Sequence, residues 1–541
     1  MRRRAFLVGS SGMLAASAAS RAGGAAAPKA DYDVVVYGGV PCGIAAAVAA
    51  AREGARTLLI EPTAHVGGLS TSGINTAESE HMLAWTIGGL ADEFYRRLGA
   101  RYGTGKPEYF FESSVAEAVY LEMLREAGVT VRTGARLDAA TMDGRSVASL
   151  ELSDGSTVAA GVFVDAGYEG DLMARAGVSY AVGREARSEF DEEAAGIRFD
   201  KEPRKARTVD DAGRLLPGLS AWAKDLKEGD AHRAPMSYNF RVTVAKDARY
   251  KVPIPIPERY DPGRFALLAD WLRGRAGGER PKSLSQVLDL YARRNGKFEL
   301  NNKQAAIISL SHLGGQFDWP EASPARRAEI YRDHLDYTLG LLHFLGHDES
   351  VPAGMRDEMR ALGLHRGEFA DNGHLPYQLY VREARRMRGA YVVAQKDVQE
   401  DRRKPDAIGM SSHFIDSHHV QRVALSPAEF VNEGRIWRMG YAYQIPYRGL
   451  TPKPEECTNL LVPGAASYTH VAFCTLRLES VWMIVGHAAG VAAAMAAKRA
   501  APVQQVDVDA LQARLRSQKQ AIDFAPGRPE KCERLNGPPE F

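Results

Sequence analysis

An α/β fold is what this sequence predicts, with a parallel sheet supplied by two separated stretches of chain and an α+β region inserted between them. Three observations point that way. Residues 33–61, DVVVYGGVPCGIAAAVAAAREGARTLLIE, read as strand, glycine turn, helix and strand. A second buried strand runs into a glycine turn and a helix at VDAGYEGDLMARAG, residues 164–177. Far downstream, CTNLLVPG at residues 457–464 reads as a strand closing on a turn, and an Ala/Gly-rich helix follows it from about Val485 to Lys498.

The first thirty residues stand outside this pattern. Arg2, Arg3 and Arg4 precede Phe6 and Leu7, then come a Gly/Ala/Ser-rich run to about Ser20 and small residues ending near Ala27. Paired arginines, a spacer and Phe-Leu resemble a twin-arginine export signal, which implies a periplasmic or secreted protein exported in folded form.

In the first unit, Asp33 to Tyr37 is a β-branched strand, and Gly38, Gly39 and Gly43 punctuate the turn. A helix is expected from Ile44 to about Glu53, stopped by Gly54, and Thr57 to Ile60 is a second strand ending in Glu61. Such a turn aims helix N-terminal N–H groups at a pyrophosphate, and the carboxylate of Glu61 is placed to accept hydrogen bonds from a ribose diol. Val40 stands where the dinucleotide-binding pattern has its middle glycine, so its Cβ takes room without removing a donor.

Next comes HVGGLSTSG at His65, where Gly67, Gly68, Ser70 and Thr71 offer N–H and hydroxyl donors to the flavin end of a dinucleotide lying across the sheet. Glu112 to Ala127 is helical, and the following strand VTVRTGA carries Val131. Val147 to Leu152 and Thr157 to Val164 form a hairpin around Asp154-Gly155. Its second strand ends at Asp165 and Gly167, which begin another turn into a helix. No first-type glycine fingerprint recurs downstream, so no NAD(P)H site is expected.

From about Arg187 to about Asp406 the chain becomes charged and aromatic, as expected of a substrate domain, with helices predicted from Ser323 to Leu345 and from Pro376 to Val393. Ser323-Pro324 supplies a capping hydroxyl and a proline at the first helical position. Met236 to Thr243 alternates apolar and polar residues, as a half-buried strand lining a cavity would. Residues 410–422 concentrate His413, Asp416, His418 and His419, a set open to an acid–base couple, a metal site or structural histidines. Imidazole and carboxylate clusters are commoner as hydrogen-bonding sets than as ligand sets, so no metal is expected.

The chain has 541 residues, 45% apolar and 25% charged, with a net charge of +2. This gives no electrostatic case for nucleic acid. The four cysteines show no CxxC or metal-ligand spacing. The apolar stretch after Trp482 is interrupted by His487 and flanked by charge, so no membrane-spanning segment is expected in the mature chain. The expected division is 1–30 export signal, 31–186 first part of the nucleotide domain, 187–406 substrate domain, 407–500 second part and 501–541 C-terminal extension.

GGVPCGIAAA at Gly38, HVGGLSTSG at His65, DAGYEGDLMARAG at Asp165, PYQLYVREARRMRGAYV at Pro376, DSHHVQR at Asp416, ECTNLLVPG at Glu456 and VGHAAGVAA at Val485 cover nearly the whole mature chain. Together they resemble the FAD-dependent oxidoreductases of the glutathione-reductase-like superfamily, and within it a secreted or periplasmic bacterial group. The resemblance implies a discontinuous Rossmann-like FAD-binding domain with an inserted α+β substrate domain, and FAD as cofactor. Gly38, Gly39, Val40, Gly43 and Glu61 would meet the ADP half, and Gly67, Gly68 and Ser70 the flavin. Val131, Asp165, Gly167, Gly486 and Gly490 would complete the cofactor site, with the helix of the last two facing the ring. By analogy it further implies hydride transfer to flavin N5 from a hydroxylated small molecule such as a sugar or polyol; with no second nucleotide fingerprint in the sequence, electrons are expected to leave to oxygen, a quinone or a cytochrome. His419 and His418 would serve as base, Arg382 and Arg385 would hold an anionic or polar substrate, and Tyr238 would supply a pocket hydroxyl. A redox-neutral flavin-dependent lyase or isomerase, and a non-enzymatic nucleotide- or sugar-binding protein on a flavin fold, are the competing readings.

Overall fold

The computed structural model describes residues 30–75 and 78–532; the arginines and apolar run of the expected export signal lie outside them. The chain enters the sheet at β1 (Tyr32–Tyr37), crosses through α1 (Pro41–Arg52) and returns as β2 (Thr57–Glu61). α1 starts three residues before the expected Ile44, because Pro41 takes the first helical position and Val40 before it is extended. After α2 (Gly89–Arg101) and α3 (Ser113–Ala127), β3 (Thr130–Thr133) adds the outer parallel strand. β4 (Leu137–Asp143), β5 (Ser146–Leu152) and β6 (Thr157–Asp165) form an antiparallel meander that leads back to the centre.

The resulting order is β3-β2-β1-β6-β5-β4. β1 pairs in parallel with both β2 and β6, and Leu460–Leu461 slots beside the carboxyl end of β6 as the seventh strand. The sheet is thus completed from both ends of the chain. Behind it the long helix Glu479–Arg499 lies along α1. Among the described residues this is the helix long and apolar enough to cross a membrane, but 89% of its apolar window is buried inside the protein.

The inserted region carries a five-stranded antiparallel sheet, ordered 251–252, 363–365, 242–245, 297–302 and 288–292. Its long helix, Pro324–His347, is capped as the sequence predicts, with the Ser323 hydroxyl accepting from the Arg326 N–H at 3.2 Å.

Four expectations change. Pro376 to Val393 is not a helix: Arg385–Met387 is a short strand paired antiparallel with Tyr180–Val182, and the rest is irregular. Val381, Ala384 and Met387 are buried, but so are Arg382, Glu383, Arg385 and Arg386. A segment buried on every side has no solvent face to present as a helix, and its charges find partners on other segments. Met236 to Thr243 is likewise buried on both faces rather than half-buried, and only Val242 onward is regular strand.

The division at 406/407 does not follow the sheets. In a four-stranded sheet, Arg204–Lys205 and Ala221–Trp222 flank the hairpin of Gln421–Ser426 and Glu429–Glu433. The buried Arg184–Glu433 pair, at 2.9 Å between Nη2 and Oε2, ties the same regions together. The boundary at 500/501 does not hold among the described residues either: the helix Val508–Ser517 packs on Glu479–Arg499, and Arg514 donates to Glu53 beyond α1 at 2.7 Å.

Candidate functional site

The first glycine turn is closed on itself in a way only glycine permits. Gly38 has φ +101°, and a Cβ there would lie 2.6 Å from the Gly167 nitrogen. A Cβ on Gly43 would lie 1.8 Å from the Gly38 carbonyl oxygen. α1 therefore begins tight against the ends of β1 and β6. Its N-terminus has no side-chain cap and no acid in its first turn, so its free N–H groups and positive dipole end suit a phosphate. Across the turn the Glu61 carboxyl accepts from the Gly39 N–H at 2.7 Å and the Thr63 N–H at 2.8 Å. Burial pushes its pKa up to about 7. Val40 does not obstruct the turn: its side chain packs over the second glycine loop, where a Cβ on Gly68 would come within 2.9 Å of Val40 Cγ1.

That second loop is joined to the first by the Gly67 N–H, which donates to the Gly39 oxygen at 2.7 Å. Gly67 and Gly68 both take positive φ, and Gly68–Thr71 forms a buried 3-10 turn rather than a surface loop. The Leu69 N–H donates to the Tyr168 hydroxyl at 3.1 Å, which donates to Glu479 at 3.0 Å. Glu479 opens the long helix, and burial raises its pKa to about 8, so it is largely protonated at neutral pH. Its Oε2 has no hydrogen-bond partner among the described residues.

Immediately beyond lies a cluster of buried cations. Gly73 abuts the Arg241 backbone, with a would-be Cβ 1.9 Å from the Arg241 oxygen. Arg241 is paired with Glu299. Arg477, two residues before Glu479, donates to the Asp416 carbonyl and approaches the Tyr380 hydroxyl at 3.4 Å. The Tyr380 ring has two guanidinium groups near it, 4.2 Å away for Arg382 and 5.5 Å for Arg241. Arg382 is fully buried, yet its acceptors are neutral: the Ser237 carbonyl and, at 3.2 Å, Asn239 Oδ1. Burial, with the neighbouring charges of Arg477 and Arg241, outweighs the pull of Asp416 and lowers its pKa to about 9. His418 joins this cluster, with Nδ1 2.8 Å from the Gln304 amide nitrogen. Burial and the neighbouring charges of Arg382, Arg477, Arg241 and Arg435 hold its pKa well below the usual imidazole value. Glu78, raised by burial to about 7, and His413 sit beside Asp416, with ligand atoms within 4.8 Å of one another. The surrounding arginines make that trio a poor host for a cation.

The sequence matches the family described as FAD dependent oxidoreductase over residues 33–515. The chain belongs to that family. No curated protein matches it. Among solved structures, similarity is found to THI4 of Thermovibrio ammonificans, at 20% identity over 28% of this chain and 63% of that one, with a TM-score of 0.21. The anhydrotetracycline hydroxylase OxyS of Streptomyces rimosus is 20% identical over 31% of this chain and 42% of its own, TM-score 0.19. The thioredoxin reductase of Lactococcus lactis is 21% identical over 25% and 34%, TM-score 0.17. Each match spans less than two thirds of the other protein's length.

FAD is accordingly the cofactor, and the chain is an FAD-dependent oxidoreductase. The two closed glycine turns and the uncapped start of α1 fit its phosphate end, and Gly38, Gly39, Gly43, Glu61, Gly67, Gly68 and Ser70 all line the carboxyl edge of the sheet where that ligand belongs. Other expected contacts are corrected. Val131 lies in register with Leu59, two residues short of that edge, and its side chain is 36% exposed. The Asp165 carboxyl is fully buried and accepts from the Met173 N–H at 2.7 Å through Oδ2, which holds the turn after β6, while its Oδ1 has no hydrogen-bond partner among the described residues. Gly486 and Gly490 face α1: Cβ atoms there would lie 2.0 Å from the Cys42 oxygen and 2.1 Å from the Ala46 oxygen. They set the helix–helix distance.

The expected substrate residues also divide. His418 and Arg382 meet in the cluster, but His419 points away, with Nε2 2.9 Å from Asp200 on the wall of a cleft of about 720 Å³. The Arg385 guanidinium is taken by Asp171 and Glu321 at 2.9 and 2.8 Å. The Tyr238 hydroxyl donates to the Glu383 carbonyl at 2.6 Å within the core. These two hold structure. His65 is stacked on Tyr377, with Glu117 and Asp371 each 2.9 Å from one of its nitrogens. The sequence reading missed Arg241, Tyr380, Arg477, Glu78 and Glu479. For Arg477 the available signal was its place directly before the Ala/Gly-rich helix; for Arg241 it was the charged position in the alternating segment Met236–Thr243.

Proposed function

We propose that this flavoenzyme removes hydride from a hydroxyl-bearing carbon of a small molecule that also carries a carboxylate or similar anionic group, such as a sugar acid or other hydroxy acid. The observation that carries the reading is Arg382, a wholly buried guanidinium with only neutral acceptors, stacked on Tyr380 beside Arg477. A buried cation without a counter-charge is costly, and an anionic substrate supplies the missing partner. FAD, when bound, supplies the hydride acceptor.

The chain's own part is to orient the substrate and take the hydroxyl proton. Arg382 and Arg477 grip the anion, and Tyr380 packs beside it. His418 is the proton acceptor: the Gln304 amide nitrogen faces Nδ1, and a flip of that amide, which exchanges its nitrogen and oxygen, keeps the proton on Nδ1 and leaves Nε2 with a lone pair. Protonating His418 among arginines is unfavourable in the free enzyme. A bound anion cancels part of that repulsion, so the base gains strength when the substrate is in place. Export, and an acceptor outside the cytoplasm such as oxygen, a quinone or a cytochrome, complete the proposal and rest on Arg2, Arg3, Arg4, Phe6 and Leu7.

The test is anaerobic bleaching of the bound flavin by hydroxy acids and sugar acids set against neutral sugars and polyols. Acids are expected to bleach it, and Arg382→Met to raise their half-saturating concentration by about 10²-fold, the worth of a charged hydrogen-bonded contact. Equal bleaching by neutral polyols, unaffected by Arg382→Met, would sink the proposal.

A further inference from the structure

Another buried arginine lies outside this site. Arg184, Arg385 and Arg386 reach carboxylates, and Arg382 reaches a carbonyl and an amide. Arg422, on the strand Gln421–Ser426, is only 4% exposed, and its guanidinium makes no hydrogen bond or ion pair with any described residue. Its guanidinium lines a cavity of about 480 Å³ together with Ser220, Arg264, His312, Asp333 and Tyr337.

The charge balance of that cavity is simple. Arg264 donates to both Asp333 oxygens, at 3.0 and 3.2 Å, and the two cancel. His312 is neutral, since burial and the adjacent cations hold its pKa well below the usual value. Arg422 is left as one uncompensated positive charge facing a space large enough for a small organic molecule. A metal ion does not suit the same space. His312, Asp333 and His334 bring ligand atoms within 4.8 Å of one another, but an Arg264 nitrogen lies 3.1 Å from His312 Nε2 and a second cation faces the site. None of Arg241, Arg382, Arg477 or His418 lines this cavity.

We propose that the cavity is a second ligand site, which binds a small oxyanion-bearing molecule through two parallel hydrogen bonds from Arg422 to its carboxylate or phosphate group. The site is independent of the substrate reading above. It adjoins the substrate side through one segment: the His312 N–H donates to the Tyr238 carbonyl, next to the Ser237 carbonyl that holds Arg382.

Calorimetric titration of the FAD-loaded full chain with inorganic phosphate, and separately with acetate, at constant ionic strength tests this. Saturable binding of at least one probe is expected that persists in Arg382→Met, where the substrate's anion site is removed, and is weakened about tenfold or more by Arg422→Met. Phosphate binding alone assigns a phosphate group, and acetate binding alone a carboxylate. Ser220→Tyr, which fills the exposed rim without altering the buried charge, should block binding equally and decides the matter if Arg422→Met fails to fold. No saturable binding of either probe overturns the proposal. So does binding that survives Arg422→Met and Ser220→Tyr, or that is lost only in Arg382→Met.

Discussion

His418 and His419 are adjacent in sequence but serve different places, and the reason is local. Residues 417–420 are irregular, so neither the period of a helix nor that of a strand says which side chain faces inward. The sequence therefore shows that DSHHVQR carries chemistry but not which imidazole does. His418→Gln is expected to lower turnover by about 10²-fold or more, as loss of a positioned base does, and His419→Ala by less than about tenfold. The pH profile provides a sharper check. Because His418 in the free enzyme has a pKa well below 6.5, it stays unprotonated as pH falls through that value. kcat/KM, which reports the free enzyme, should show no falling limb near pH 6.5, whereas the limb in kcat should lie higher, because the bound anion favours the imidazolium. A kcat/KM limb at the ordinary imidazole value would remove His418 from the role.

At the level of elements, glycine spacing was readable but its purpose was divided. The turn glycines announce themselves because strand, turn and helix are contiguous. In the helix Glu479–Arg499 the same residue type instead sets the approach of two backbones, and only the fold reveals which helix is opposite. Gly486→Ala and Gly490→Ala should each force the long helix off α1. A loss of about 2–4 kcal/mol is expected, typical of overpacking against backbone, with reduced FAD content because the start of α1 moves as well. Gly354→Ala is the control: it sits in the helix Ala353–Arg360 with nothing within 4 Å of the added Cβ, and should be neutral or stabilising by up to about 1 kcal/mol. Thermal unfolding and flavin absorbance measure both effects, and unchanged FAD content in Gly486→Ala would refute the packing role. The misread segment 376–393 has the opposite cause. Its arginines look like a solvated helix face, but Arg382 and Arg386 are buried by partners too distant in sequence to be inferred locally.

Over the whole molecule, the contiguous βα units were legible and the pairings between distant short strands were not: residues 204–205 and 221–222 are too short to carry a pattern, and they meet 421–433 only through the fold. The same long-range closure buries carboxyl groups around the cofactor site, and this has a consequence for stability. Glu61 and Asp165 are pushed up to about 7 and Glu479 to about 8, in each case chiefly by burial. In the unfolded chain these groups titrate near pH 4, so between there and about pH 8 the folded state binds more protons than the unfolded one. Their stabilising contribution is complete below the unfolded pKa and is lost as pH rises through 7 to 8. Glu185, Glu383 and Glu433 are depressed instead, because arginine or histidine partners outweigh their burial, and their contribution is lost only on acidification. The two sets act in separate windows, so the FAD-free protein should be most stable in mildly acidic solution and its unfolding midpoint should fall steadily from about pH 5 to about pH 8.5. Glu479→Gln keeps an acceptor for the Tyr168 hydroxyl while removing the proton-linked charge. It should flatten that decline by close to one proton's worth of slope and raise the midpoint by a few degrees at about pH 8.5, with little change near pH 5. Superimposable wild-type and Glu479→Gln midpoints across this range would show that Glu479 is already ionised in the fold, with its partner still to be found.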